Sequence, residues 1–291
     1  MRKANKLWIF LFLFPVVALF LLIYAIPFVT LVTTSFFDYR LLSSSMEFIG
    51  FDNYVRMFHD PDFMIALRNT LIWILIQCTV HVALGVALAL ILYKKPKGWK
   101  FVRTAYMIPN IIPQAAIGMI FLNVFNPQFG VINAVLRAIG LEHLTRNWLM
   151  NMDTSFGSVT LVWVLFAGYT TTLVLAEALS IDESVLEAAR IDGASNFQLD
   201  MFVVLPLLRK IIGTTMIMAA TYMLQMFDLI FITTNGGPGR VTTNLALLLY
   251  NVFSTERNFG YANAIGVVII LLGLLAMLFI NKIMRMNKTG Y

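Results

Sequence analysis

Thr214, Thr221, Gln225 and Asp228 lie in one apolar run at steps of seven, four and three, a spacing that puts all four on one face of a helix. The chemistry open to such a face is hydrogen bonding to a polar solute, because Gln225 both donates and accepts and an ionised Asp228 is a strong acceptor. An acid within a membrane span costs at least ~2.5–3.5 kcal/mol, which makes Asp228 a functional-site candidate. It also reads as a snorkelling or helix-capping residue beside Thr234-Asn235-Gly236, and both readings stay open. Tyr222, in the same run, completes the substrate-path candidates Tyr222, Gln225 and Asp228. Asn123 and Trp163 are weaker members of the class, since interfacial or packing roles would equally explain them. Gln77 and His81, one helical turn apart with Thr79 between them, read as glue between helices, and Gly85 permits close helix contact.

Bond-making chemistry finds little to work with. His59, His81 and His143 fall in different segments, the single Cys78 lies in an apolar run, and no Cys/His spacing suits a metal. No phosphate-binding G-x-x-x-x-G-K-[ST] word is present. The expectation is a chain with no catalytic residue, no metal and no cofactor of its own. Any energy input must come from a partner.

One polar stretch stands apart: Glu187-Ala188-Ala189-Arg190-Ile191-Asp192-Gly193, followed by Leu205-Pro206. Ser180 with Glu183 reads as a capping box that starts a helix, and Gly193 as the left-handed residue that stops it. Ser195 with Gln198 forms a second box, so the stretch is predicted to be two short helices meeting at a glycine corner, with Pro206 marking the turn into the next apolar run. Small Ala188 and Ala189 offer a smooth face from which Glu187 projects one charge. This is a shape suited to docking in another protein's groove.

The order Glu-Ala-Ala, three residues, Gly193, nine residues, Val203, one residue, Leu205-Pro206 resembles the EAA loop of bacterial ATP-binding-cassette import permeases. The family most often has Ile at the position of Val203. Asp192-Gly193-Ala194-Ser195 matches too, and Thr234-Asn235-Gly236-Gly237-Pro238 looks like the first member of the permease pair in maltose-type sugar importers. The resemblance covers nearly the whole chain. It implies that Glu187, Ala188, Ala189, Asp192, Gly193, Leu205 and Pro206 couple the chain to an ATPase. It further implies a second homologous permease subunit, two ATPase subunits that bind the ATP, an extracytoplasmic solute-binding protein, and a carbohydrate substrate, an oligosaccharide.

Composition supports a membrane setting. Of 291 residues 59% are hydrophobic and 12% charged, against roughly 25% charged in a soluble domain. The net charge of +6 sits in short clusters beside apolar runs, with no basic stripe or motif for nucleic acid. Six spans are predicted, over 7–32, 65–93, 104–125, 157–179, 211–233 and 262–280. The first is too long for a signal peptide, with Pro15 and Pro27 as kink sites, and Pro109 and Pro113 interrupt the third. Outer segments are expected over 34–63, where Phe48-Ile49-Gly50-Phe51-Asp52-Asn53-Tyr54 also resembles the family and implies a short surface helix, and over 126–156, with an amphipathic piece near 131–139. Of the 21 basic residues, 14 fall in segments assigned to the cytoplasm, including all nine lysines (3, 6, 94, 95, 97, 100, 210, 282 and 288), and seven arginines fall outside. That bias places both termini in the cytoplasm, and the resemblance implies a bacterial inner membrane.

The sequence therefore predicts an all-α, polytopic membrane protein of six transmembrane helices, one domain over 1–291, with a cytoplasmic coupling loop over about 180–208. A permease of the same family for glycerol-phosphate or a polyol is the nearest alternative. An ion-coupled secondary transporter would need inverted repeats and intramembrane charges, and the chain shows no repeat and one such acid. A membrane-embedded enzyme is disfavoured by the missing catalytic groups.

Overall fold

The computed structural model describes residues 2–40 and 46–286. The helices are α1 (Trp8–Thr34), α2 (Asp52–His59), α3 (Pro61–Leu92), α4 (Trp99–Ile111), α5 (Gln114–Val124), α6 (Val131–Ala138), α7 (Ser155–Ala178), α8 (Glu183–Ile191), α9 (Asn196–Leu207), α10 (Arg209–Leu224), α11 (Asp228–Thr233), α12 (Leu245–Ser254) and α13 (Phe259–Met284). Four of them, α1, α3, α7 and α13, are long and apolar enough to cross a membrane. Two bent pairs bring the number to six if each is counted as one crossing: α4 with α5 at 98°, and α9 with α10 at 66°.

The first break has a local cause. Ile112 precedes Pro113 and takes the extended conformation that a following proline favours (ψ 132°), so the interruption predicted in the third span falls at Pro113, while Pro109 stays inside α4. The predicted fifth span is also corrected. Its helix ends at Leu224, and a new one begins at Asp228. Gln225 and Asp228 therefore do not continue the helical face that carries Thr214 and Thr221.

Contacts gather the chain into two groups, 1–64 with 248–271, and 65–247 with 272–291. In the first, α1 is exposed along its length apart from its final turns, and passes through a π turn at Leu21–Ala25 just before Pro27. A two-residue strand pair, Phe37–Asp38 with Glu47–Phe48, leads to α2. Buried Asn53 fixes α2 by donating to the carbonyls of Ser35 (2.9 Å) and Phe37 (3.1 Å). Tyr261, at the start of α13, donates to Asp60 (2.7 Å), and the Arg56 guanidinium lies 4.4 Å from the Tyr261 ring.

The second group has two apolar cores. One centres on Trp73, whose ring stacks on Phe156 at 4.7 Å and whose N–H donates to Thr160 (2.8 Å). The other packs Val82, Val86 and Ala89 of α3 against Val174, Leu175 and Ala178 of α7 and against Leu199, Val204 and Leu208. Gly85 lets α3 and α7 approach, since a Cβ there would stand 2.7 Å from the Thr170 side chain. The segment 234–247 is held by buried polar groups: Asn69 donates to the carbonyls of Val241 and Thr243 (2.9 Å each), Thr234 and Thr242 share a hydrogen bond (2.7 Å), and Asn244 reaches the Met226 carbonyl (2.6 Å).

Candidate functional site

The corner at Gly193 is built as the sequence predicts. Gly193 has φ +86°, a conformation that β-carbons resist. Its N–H donates to the Arg190 carbonyl and that of Ala194 to the Ala189 carbonyl, both at 3.0 Å, closing α8 with the two reversed hydrogen bonds of a Schellman motif. The Ser195–Gln198 box starts α9: the Ser195 N–H donates to Gln198 Oε1 (2.8 Å) and the Gln198 N–H to Ser195 Oγ (3.4 Å).

The start of α8 differs from the expectation. Asp182, not Ser180, is the cap, accepting from the Ser184 N–H at 3.0 Å. Ser180 still belongs to the end of α7, where its hydroxyl donates to the Glu177 carbonyl. The hydrogen bond to Ser184 holds the Asp182 carboxyl below its ordinary range.

Glu187, Ala188, Asp192 and Gly193 are exposed and Ala189 is half-buried, so the α8 face is open. Leu205 and Pro206 lie a full helix away at the end of α9, where Leu205 packs inward against the second core. Three apolar residues that the motif does not name are among the most exposed of the loop: Ile191 at 85%, Phe197 at 70% and Phe202 at 74%.

The second feature is a cavity of about 310 Å³ bounded by α3, the α4–α5 break, α7 and α10. Its walls include Gln77, His81, Gln114, Trp163, Tyr169 and Tyr222. Gln77 and His81 face it from a π turn, Gln77–His81, within α3. His81 is tied to the Val164 carbonyl (3.0 Å), the interhelical role predicted for it. Gln77 Oε1, Gln114 Oε1 and Trp163 Nε1 are buried and have no hydrogen-bond partner among the described residues. Each such group costs about 1–3 kcal/mol if left unpaired, and all three belong to residues that line this one space.

A profile of binding-protein-dependent transport system inner membrane components matches residues 81–285. A probable ABC transporter permease of Bacillus subtilis, YurN, is 34% identical over 292 residues, covering 99% of each chain. The chain belongs to the ABC importer permeases.

This permease is also 33% identical to the multiple sugar-binding transport system permease MsmF of Streptococcus mutans, over 95% of each chain. A chain of a bacterial alginate ABC transporter, crystallised with an alginate pentasaccharide-bound periplasmic protein, shares its fold at TM-score 0.86 and 23% identity, over 100% of this chain and 99% of that one.

Of the permease's predicted path residues, Tyr222 lines the cavity, whereas Gln225 and Asp228 flank the α10–α11 break outside its walls. The hydroxyls of Thr214 and Thr221 are taken up by the Lys210 and Ile217 carbonyls of their own helix, at 3.0 and 2.9 Å. Asn123 donates to Met119, one turn back. Gln114 went unnoticed in the sequence because it directly follows Pro113 and so reads as punctuation; a polar amide on the first turn after a proline break inside an apolar run was the available signal. Lys288 and the C-terminal end expected on the inner side lie outside the described residues.

Proposed function

We propose that this permease forms, with a second homologous permease, the membrane path of an importer for a carbohydrate, an oligosaccharide delivered by an extracytoplasmic solute-binding protein. Two cytoplasmic ATPase subunits supply the ATP site, and the permease is not itself an enzyme. The observation that carries the reading is the cavity. It sets unpartnered amide oxygens and an indole N–H beside the rings of Trp163, Tyr169 and Tyr222, and sugar hydroxyls both donate and accept while their C–H faces pack on rings. Among the described residues that line the cavity none is Lys or Arg, which favours a neutral solute over a phosphorylated one. Relatives named for multiple sugars, diacetylchitobiose and trehalose/maltose support the same class.

The loop over 180–208 docks on the ATPases through Glu187, Ala188, Ala189, Asp192 and Gly193, with Ile191, Phe197 and Phe202 adding apolar contact, and Leu205 and Pro206 join it to α10. Six crossings with both termini in the cytoplasm of a bacterium place the loop on the ATPase side, and the chain works as one transmembrane body. Closure of the ATPases then swings the permeases between inward-open and outward-open states. Gln225 and Asp228 meet solute at the α10–α11 break.

The test is uptake by the reconstituted importer of oligosaccharides against polyols and glycerol-phosphate, with Gln77→Leu and Tyr222→Ala as variants. Saturable oligosaccharide uptake that both variants reduce about tenfold at equal assembly is expected. Selective uptake of an anionic or non-sugar solute, or full uptake in both variants, rejects the reading.

A further inference from the structure

We propose that Asp200 is a positioning residue that transmits movement of the coupling loop to α3, and through α3 to the solute cavity. The inference rests on the coupling role given above to the loop.

Helix α8, the face of the loop, has no fully buried residue and touches the second core only through half-buried Leu186 and Ala189, whereas α9 contributes the fully buried Leu199 and Val204. Leu199 and Val204 anchor α9 by apolar packing, which is non-directional and tolerates sliding. Asp200 lies between them, in a π turn that spans Asp200–Val204. Its side chain is 14% exposed, and both oxygens are engaged by consecutive residues at the end of α3: Oδ1 accepts from the Tyr93 hydroxyl and Oδ2 from the Lys94 ammonium, each at 2.5 Å. A carboxylate held by two donors on one short segment fixes direction as well as distance, which a single exposed ion pair does not. The π turn re-aims the side chain relative to an uninterrupted α-helix, and such turns recur at functional sites.

What lies at the other end of the tie gives it a mechanical role. Helix α3, which ends at Leu92 just before Tyr93 and Lys94, carries Gln77 and His81 in its own π turn, on the cavity wall. The separation of twelve to sixteen residues is about 20 Å of helix. Loop displacement pulls on Asp200, Asp200 pulls on Tyr93 and Lys94, and α3 carries the shift to the two polar groups facing the solute.

The experiment uses the complete importer in proteoliposomes, with ATPases and solute-binding protein, and measures assembly, ATP hydrolysis and solute transported per ATP. Asp200→Ala should keep assembly and hydrolysis while lowering transport per ATP about tenfold. Asp200→Asn, which keeps the shape and loses the charge, should fall between, and the exchange Lys94→Asp with Asp200→Lys should recover at least a third of the ratio. Unchanged transport per ATP in Asp200→Ala overturns the proposal. So does a loss that follows loss of assembly and is not recovered by the exchange, since that describes a mere tether. Gly193→Val is run in parallel: if it too leaves the ratio normal, the coupling role of the loop fails, whereas a normal Asp200→Ala beside an uncoupled Gly193→Val overturns only this inference.

Discussion

Gly168 of α7 lies directly against the backbone carbonyl of Tyr106 on α4, with no room for a β-carbon between them, and the Tyr106 hydroxyl in turn donates to the Leu165 carbonyl. Two helices thereby meet backbone to backbone on the α4 arm of the broken α4–α5 pair. Gly168→Ala should force them apart and cost about 1–3 kcal/mol. A thermal-unfolding midpoint equal to the parent's would show that the contact yields freely.

The cavity sets stability against function. Gln77→Leu removes a buried amide oxygen that has no partner and should raise thermal stability by about 1 kcal/mol or more while lowering uptake. Trp163→Phe, which removes the unpartnered indole N–H, should behave the same way. Both are checked by unfolding in detergent and by uptake in vesicles; a Gln77→Leu chain that is less stable and transports normally would contradict the cavity's role.

At Gly193, φ is +86° and nothing lies within 4 Å of where a β-carbon would stand, so strain acts here without clash. Gly193→Val should cost ~1–2 kcal/mol locally, with Gly193→Asn milder. Membrane insertion is unaffected and the ratio of transport to ATP hydrolysis falls, which vesicle assays report directly.

Asp182 provides a pH-dependent end to α8. Its carboxyl is held below the ordinary 3.8 by the Ser184 N–H. A depressed value means the stabilising contribution is complete above that pH and is lost as pH falls through the lowered value. Pepsin cleavage within α8, taken as a ratio of wild type to Asp182→Asn, should stay constant near pH 5 and rise below pH 3.8. A flat ratio would mean that the cap does not hold the helix.

Topology is open to reporters. An enzyme active only outside the cytoplasm, fused to chains truncated after Asn53, Thr145 or Thr242, should be active, and after Lys97 or Ser195 inactive. Activity at Ser195 would put the loop on the wrong side for any ATPase.

The elements that the sequence predicted well are those whose causes are local. The glycine corner and the Ser195–Gln198 box depend on residues within a few positions of one another, and the structure reproduces both. Where two local solutions competed, position decided: Ser180 bonded back into α7 and left the cap to Asp182. The single face of Thr214, Thr221, Gln225 and Asp228 failed because no proline or glycine marks the break at Gln225–Phe227. Met226 there is buried in the first core and its carbonyl is taken by Asn244, a contact 18 residues away in sequence. The cavity was not legible as such: Tyr222 and, more weakly, Trp163 read as path candidates, Gln77 and His81 read as glue between helices, and their convergence depends on the packing of α3, α7 and α10, which no one run contains.

The loop at Gly193 stores its shape in bonds of very short reach, three to five residues for the corner and three for the box. Contacts so local close quickly and carry little loop-closure entropy. A corner of this kind regains its own geometry after deformation from bonds between near neighbours, so on the coupling role proposed above it would offer its partner the same shape in each cycle.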